Sequence, residues 1–289
     1  MSLEDKTKPV SAFDGSADLC PNCNEKMFGQ FCCGCGEKRV DRDRLSMKHF
    51  IGSSVHDLTD IEHSKIWKTF NALVFKPGFL TNEYFAGRKS RYLTPLKLCI
   101  VIFAASLFLY SIYKPVAVYN LETFIESDQT GTWVRMINEL AEKKQIPQNV
   151  LIEKINDKWQ VYVSWLQITN VIFFALLLQI AYIFSRLYFV EHLIFSLHFI
   201  SFTFLSTIIL WPVYLFVGVK PTTASLMVSL LVFLVTLIYL FFAIRTFYKQ
   251  STGMTLLKTA LLYTGSYLIA VSIMMATLIL AFLHVLISS

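Results

Sequence analysis

The apolar residues of this chain form long blocks after residue 91, whereas its first 91 residues read as an ordinary polar segment. Each block approaches or exceeds the ~20 residues with which a helix crosses a hydrocarbon core of about 30 Å. Unbroken Leu, Ile and Phe runs exclude the alternating pattern of a membrane β-barrel. The pattern therefore predicts an all-α fold, a helical multi-pass bundle of about five transmembrane helices. The expected spans within a transmembrane domain at 92–289 are 92–113, 159–185, 193–219, 221–244 and 258–286.

The polar segment at 114–158 also carries a helical pattern. Apolar residues recur at helical spacing before Pro147, and a second helix is expected to begin near Asn149 and to run into the second span. We expect an extracytoplasmic helical loop, and a lid packed on the bundle is favoured over a binding domain. The residues that carry the two patterns are Trp133, Met136, Ile137 and Leu140, then Leu151, Ile155 and Trp159.

Composition and charge place the bundle in a membrane and orient it. Hydrophobic residues make up 55% of the chain and charged residues 16%, with a mean hydropathy of +0.53, which is typical of membrane proteins. No apolar signal-peptide core lies between Met1 and Gly15, so export of the N-terminus by a cleavable signal is not expected. Cytoplasmic flanks carry the excess of Lys and Arg, which predicts a cytoplasmic N-terminus and an extracytoplasmic C-terminus. On the side expected to be cytoplasmic, the spans are flanked by Arg88, Lys89, Arg91, Arg186, Arg245, Lys249 and Lys258. The short turn on the opposite side carries only Lys220.

Five of the six cysteines lie between positions 20 and 35. Two Cys-x-x-Cys turns place four thiolates around one Zn²⁺, and the spacing assigns Cys20, Cys23, Cys32 and Cys35 as ligands while leaving Cys33 spare. Disulfides are the alternative, but a cytoplasmic segment lies in a reducing compartment. We predict one structural zinc in a small cytoplasmic zinc ribbon at 19–40, after a disordered N-terminus at 1–18.

The segment at 41–91 is expected to be amphipathic, helical and close to the membrane. Its end brings Arg88, Lys89 and Arg91 to the start of the first span, at the level of lipid headgroups. Anchoring by positive charge suffices to explain them, and a site for a lipid phosphate or another anion is the alternative. The basic residues after the ribbon alternate with acidic ones, so binding of nucleic acid is not favoured.

One cluster of ionisable residues occurs near the apolar blocks. Glu191 and His192 stand at the entrance to the third span, and His198 lies one heptad deeper. Ionisable groups at membrane depth usually face a bundle interior or a wet cavity. They are low-priority catalytic candidates, because an ion pair at the interface and a histidine bonded to a neighbouring helix also explain them.

Several of these motifs together resemble a known family. They are the paired-cysteine ribbon, Lys76-Pro77-Gly78, Gly87-Arg88-Lys89-Ser90-Arg91-Tyr92, the run from Val190 to Phe199, and Arg245-Thr246-Phe247-Tyr248. This set is similar to an uncharacterised bacterial family of zinc-ribbon multi-pass membrane proteins, grouped as a domain of unknown function. The resemblance implies a bacterial inner (plasma) membrane and brings no established activity.

The residues favour a protein without catalytic activity, with a transport, lipid-handling or accessory (scaffold) role. Its expected partners are the lipid bilayer, a lipid headgroup, or a protein docked on the ribbon. The alternative is a membrane-embedded metal-dependent enzyme that uses Glu191, His192 and His198. A membrane-tethered regulator that binds nucleic acid is disfavoured by the mixed charge beside the ribbon. No phosphate-binding loop or ordered Ser/His/Asp set is present.

Overall fold

The computed structural model of the chain describes residues 19–27, 31–37, 63–112, 121–128, 130–217 and 223–287. The predicted disordered segment at 1–18 and the first part, 41–62, of the predicted amphipathic segment at 41–91 lie outside these residues. In the described part, helices form everything except the ribbon and the connections, and no strand longer than a single bridge occurs. The all-α bundle predicted from the sequence is confirmed.

Two short helices precede the apolar ones: α1 (His63–Phe75) and α2 (Phe79–Phe85). The break between them contains Gly78, whose φ of +76° suits glycine. Gly78 lies against Ala243 and Thr246, far along the chain. A Cβ at position 78 would lie 2.7 Å from the carbonyl oxygen of Ala243. Glycine therefore permits a backbone approach at this point that no other residue would allow without a shift.

The apolar helices follow the predicted blocks with shifted ends. They are α3 (Pro95–Ile112), α6 (Gln148–Leu166), α7 (Asn170–Ala181), α8 (Phe189–Val217), α9 (Thr223–Tyr248) and α10 (Thr252–Ile287). A 3₁₀ turn at Gln167–Thr169 joins α6 to α7. Within the described residues, four segments are long and apolar enough to cross a membrane: Gln148–Ala181, Phe189–Val213, Leu226–Tyr248 and Thr252–Ile287. The apolar part of α3, Pro95–Leu109, is shorter.

Helix α8 is the centre of the bundle. It packs against α3, α7 and α9 along its length and against α2 at one end. In its most apolar stretch 61% of the residues are buried, compared with 28% for each of the other three candidate spans. Aromatic rings fill its contacts, with Phe202 stacked on Tyr239 at 3.5 Å and Phe174 near Phe199 at 4.8 Å. The exposed apolar surface of the other helices fits contact with lipid.

The 114–158 region contains α4 (Leu121–Ser127) and α5 (Thr132–Lys144), which pack on the start of α6. Helices occur where the spacing predicts them, and α6 begins at Gln148, next to the expected start near Asn149. Trp159 is fully buried and donates a hydrogen bond to Thr277 Oγ1 at 3.1 Å. These helices share a second apolar core with the C-terminal end of α10.

Candidate functional site

Two matching turns build the cysteine cluster. In the first, the backbone N–H of Cys20 donates to the carbonyl of Glu25 and that of Asn24 donates to the carbonyl of Cys20. In the second, Cys32 and Gly36 repeat the same pattern, with Cys32 donating to Glu37. Asn24 and Gly36 both have positive φ, 61° and 71°, a conformation that Asn and Gly adopt most readily. The sequence therefore folds into two equivalent knuckles.

The knuckles bring four sulfur atoms together. Cys20 Sγ lies 3.5 Å from Cys35 Sγ, and Cys23 Sγ lies 3.4 Å from Cys32 Sγ. The four sulfurs all lie within 4.8 Å of one another, and none is in a disulfide. Sulfurs bound to one tetrahedral Zn²⁺ at about 2.3 Å would be about 3.8 Å apart, so the arrangement fits such an ion. Cys33 is exposed and lies outside the group.

The ribbon contacts the segment that leads into α3. Asn22 Nδ2 donates to Ser90 Oγ at 2.8 Å, and the Ser90 backbone N–H donates to Glu37 Oε2 at 2.8 Å. The guanidinium of Arg91 donates to the carbonyl oxygen of Asn22 at 2.5 Å. We call residues 87–92 the docking segment. Because Glu37 is 3% exposed, its carboxylate is committed to this contact.

Gly87 lets the ribbon come close to the docking segment. Its φ is +79°, and a Cβ at this position would lie 3.1 Å from Cγ of Pro21. Pro21 belongs to the first knuckle, so the turn that carries Cys20 and Cys23 itself rests against the glycine. The ribbon is thus joined to the membrane domain by apolar contact as well as by hydrogen bonds.

The three basic residues predicted to bind an anion have separate contacts. Arg88 pairs with Glu83 through Nε to Oε2 at 2.8 Å and through a second bond from Nη2. The hydrogen bond to Glu83 raises the pKa of Arg88 above its ordinary value. Lys89 Nζ lies 4.0 Å from the centre of the Tyr84 ring, a cation–π contact. Arg91 turns instead to the ribbon.

Arg88 and Lys89 line one small pocket, and Arg91 does not. Tyr84, Tyr92, Thr94 and His198 also contribute to its wall. The predicted anion site of Arg88, Lys89 and Arg91 stays a prediction, and only the first two of these residues line this pocket. Thr94, which also lines it, was not among the predicted residues, because an isolated threonine before a helix gives no signal of its own.

The three candidates at the start of α8 have different partners. Glu191 Oε2 accepts the backbone N–H of Tyr188 at 2.7 Å, which caps the first turn of the helix. His192 Nδ1 is hydrogen-bonded to Tyr248 Oη at 2.7 Å, and His198 Nδ1 to Thr81 Oγ1 at 2.9 Å.

These three side chains do not assemble a metal site. Across the described residues, the cysteine cluster is the single group of three or more His, Cys, Asp and Glu side chains that can share an ion. The structure therefore gives Glu191, His192 and His198 local roles, one as a cap and two as buried hydrogen-bond partners.

A polar and aromatic stack surrounds His192. The Tyr182 and Tyr248 rings are stacked at 3.7 Å, and Lys258 Nζ lies 3.7 Å from the centre of Tyr182. His192 is fully buried, and its Nε2 and the hydroxyl of Tyr182 are buried without a hydrogen-bond partner in the described part of the chain. Four chain segments meet here, so sequence spacing could not have grouped these side chains.

Comparison with known proteins gives one match. The family described as "Protein of unknown function (DUF3667)" matches residues 63–108, from the start of α1 through most of α3 and including the docking segment. The expected resemblance to a family of unknown function is confirmed over that region, and the ribbon lies outside it. No curated protein and no solved structure matches the chain.

Proposed function

We propose that this is a membrane-embedded accessory protein without catalytic activity, whose cytoplasmic zinc ribbon receives a protein partner. The observation that carries the proposal is the fixed attachment of the ribbon to the docking segment through Asn22, Glu37 and Arg91. A tethered module needs no such attachment, whereas a ribbon that must present one face at a fixed place on a membrane does.

Exposed apolar side chains on the ribbon support this role. Leu19 is 50% exposed and Phe31 is 57% exposed, and each directly precedes a buried cysteine. Exposed apolar and aromatic side chains are common at the centre of protein–protein contacts. The two residues provide an apolar contact on a module whose fold depends on metal.

The remaining expectations complete the proposal. Zn²⁺ is the ion that four thiolates in tetrahedral positions favour. The charge distribution supports a cytoplasmic N-terminus and an extracytoplasmic C-terminus, and the resemblance supports a bacterial inner membrane. The enzyme alternative has less support, because Glu191, His192 and His198 lead to three separate partners.

The test is cross-linking in intact cells from a photoreactive amino acid placed at Leu19. We expect an adduct with one other protein, and we expect Phe31→Ser to remove most of it because both side chains belong to the same contact. Glu25→Gln, a change at an exposed charged position of the ribbon, is the matched control and should leave the adduct intact. Absence of a protein adduct, or an adduct unaffected by Phe31→Ser, would contradict the proposal and leave the ribbon a structural module.

A further inference from the structure

The pocket beside the docking segment has the chemistry of an anion site. Its lining includes the cations Arg88 and Lys89, and none of the described residues that line it is acidic. The nearest carboxylate identified by contact is Glu83, which holds Arg88. Tyr84 carries the Lys89 ammonium on its ring face, so both cations are positioned by neighbouring side chains.

A hydroxyl group in the same wall lacks a partner among the described residues. Thr94 Oγ1 is buried and has no hydrogen-bond partner in that part of the chain. Buried polar groups normally have one, and each exception calls for an explanation. Thr94 lines the pocket, so an oxygen of a bound anion would give this hydroxyl the partner that the described residues do not provide.

The start of α3 adds to the positive character of the pocket. Thr94 directly precedes the helix, which begins at Pro95 and runs for 18 residues. The first N–H groups of a helix have no partner within it, and the helix dipole favours negative charge at this end. Two cations and a hydroxyl therefore line one pocket, beside the start of this helix.

We propose that this pocket binds a phosphate group, held by Arg88, Lys89 and Thr94. A phospholipid headgroup and free phosphate share this chemistry, and the position of the pocket at the start of an apolar helix favours the headgroup. This proposal is independent of the protein partner on the ribbon.

The experiment uses the purified full chain in detergent. Native mass spectrometry follows binding of dioctanoyl phosphatidic acid, with dioctanoyl phosphatidylcholine as the zwitterionic comparison, and labelled inorganic phosphate is tested separately. We expect phosphatidic acid to be retained in preference to phosphatidylcholine. Lys89→Gln should weaken its binding about fivefold, the effect of one near-surface charge.

Three further variants distinguish a pocket from general attraction to positive charge. Arg91→Gln removes the same charge from the same segment but outside the pocket, and it should change binding much less than Lys89→Gln. Thr94→Val should weaken binding without lowering the melting temperature, because the hydroxyl that it removes has no partner among the described residues. Glu83→Gln should strengthen binding, since it releases Arg88 from its carboxylate.

The outcomes decide both the site and the ligand source. Inorganic phosphate binding with the same dependence on Lys89 and Thr94, without lipid selectivity, would support a soluble phosphate ligand. The proposal is wrong if neither anion binds, or if Arg91→Gln weakens binding as much as Lys89→Gln does. Because none of these measurements involves the Leu19 face, a negative result here is distinguishable from failure of the accessory role.

Discussion

The hydrogen bond between Asn22 and Ser90 provides a direct measure of how firmly the ribbon is attached. Ser90 takes part in two contacts with the ribbon: its hydroxyl accepts from Asn22 Nδ2, and its backbone N–H donates to Glu37. The first contact can be removed by Asn22→Ala or Ser90→Ala while the second stays in place. The Ser90 amide can therefore be used to report on docking in every variant.

The structure predicts unequal effects of the two changes. A neutral hydrogen bond contributes about 0.5–1.5 kcal/mol to stability. Removing one of its two groups costs more stability than removing both, because the remaining buried group is left without a partner. Oδ1 of Asn22 is already buried without a partner, so Asn22→Ala also removes an unfavourable group. We expect a loss of about 0.5 kcal/mol for Asn22→Ala and about 1.5 kcal/mol for Ser90→Ala, which leaves the whole Asn22 amide unsatisfied.

Hydrogen–deuterium exchange at the Ser90 amide measures these losses. Exchange of a protected amide follows local opening, so the two changes should accelerate it about twofold and about tenfold, respectively, at 1.4 kcal/mol per factor of ten. In the double variant both groups are absent, and exchange should be slower than in Ser90→Ala alone. Glu25→Ala, at an exposed ribbon position, should have no effect.

Two results would refute this reasoning. Effects that simply add in the double variant would show that Asn22 and Ser90 do not interact. An unchanged Ser90 amide in both single variants would show that the ribbon is not held by this contact, and the accessory role proposed above would lose its main support.

Three other predictions concern the metal, the packing of α2 and the orientation. Metal analysis of purified protein should find one zinc per chain that Cys23→Ser removes and Cys33→Ser retains; zinc retained in Cys23→Ser would contradict the ligand assignment. Thermal unfolding in detergent should show a larger loss for Gly78→Ala than for Gly131→Ala. Both glycines have positive φ, but only the first would bring a Cβ to 2.7 Å from the Ala243 carbonyl, and the excess should be about 1–3 kcal/mol. Equal losses of stability in the two variants would mean that α2 can shift away from Ala243 without destabilising the protein. Reporter fusions active only outside the cytoplasm should work at the C-terminus and be silent beside the ribbon; equal activity at both ends would mean that an even number of helices crosses.

Local patterns explain why the ribbon and the helices could be predicted. The two knuckles are each set by residues within five positions of one another, as the bonds from Cys20 to Glu25 and from Cys32 to Glu37 show. The apolar helices are set by hydropathy over about twenty positions, which any bilayer requires. Their ends were less well predicted, since α8 begins at Phe189, where the carboxylate of Glu191 caps the first turn.

The contacts around the docking segment and the buried histidines could not be predicted, because the residues that form them are distant in the chain. Asn22 and Ser90 are 68 positions apart, and Thr81 and His198 are 117 apart. No local spacing encodes such pairs. The pairing of Arg88 with Glu83, five positions away, was within reach of a sequence argument, because opposite charges that flank a helix end commonly meet.

The order of the docked parts along the chain has a consequence for biosynthesis. Residues 19–37 leave the ribosome before the docking segment and before every described apolar helix. The ribbon has few buried apolar residues, so if its four cysteines bind a metal ion, its folding would depend on that ion. Under metal starvation a newly made chain would still insert its apolar helices, yet expose the surface around Ser90 that the ribbon otherwise covers. Metal supply during translation would thus decide whether the ribbon of each new chain folds and docks. In chains without a docked ribbon, quality-control proteases could recognise the exposed docking segment.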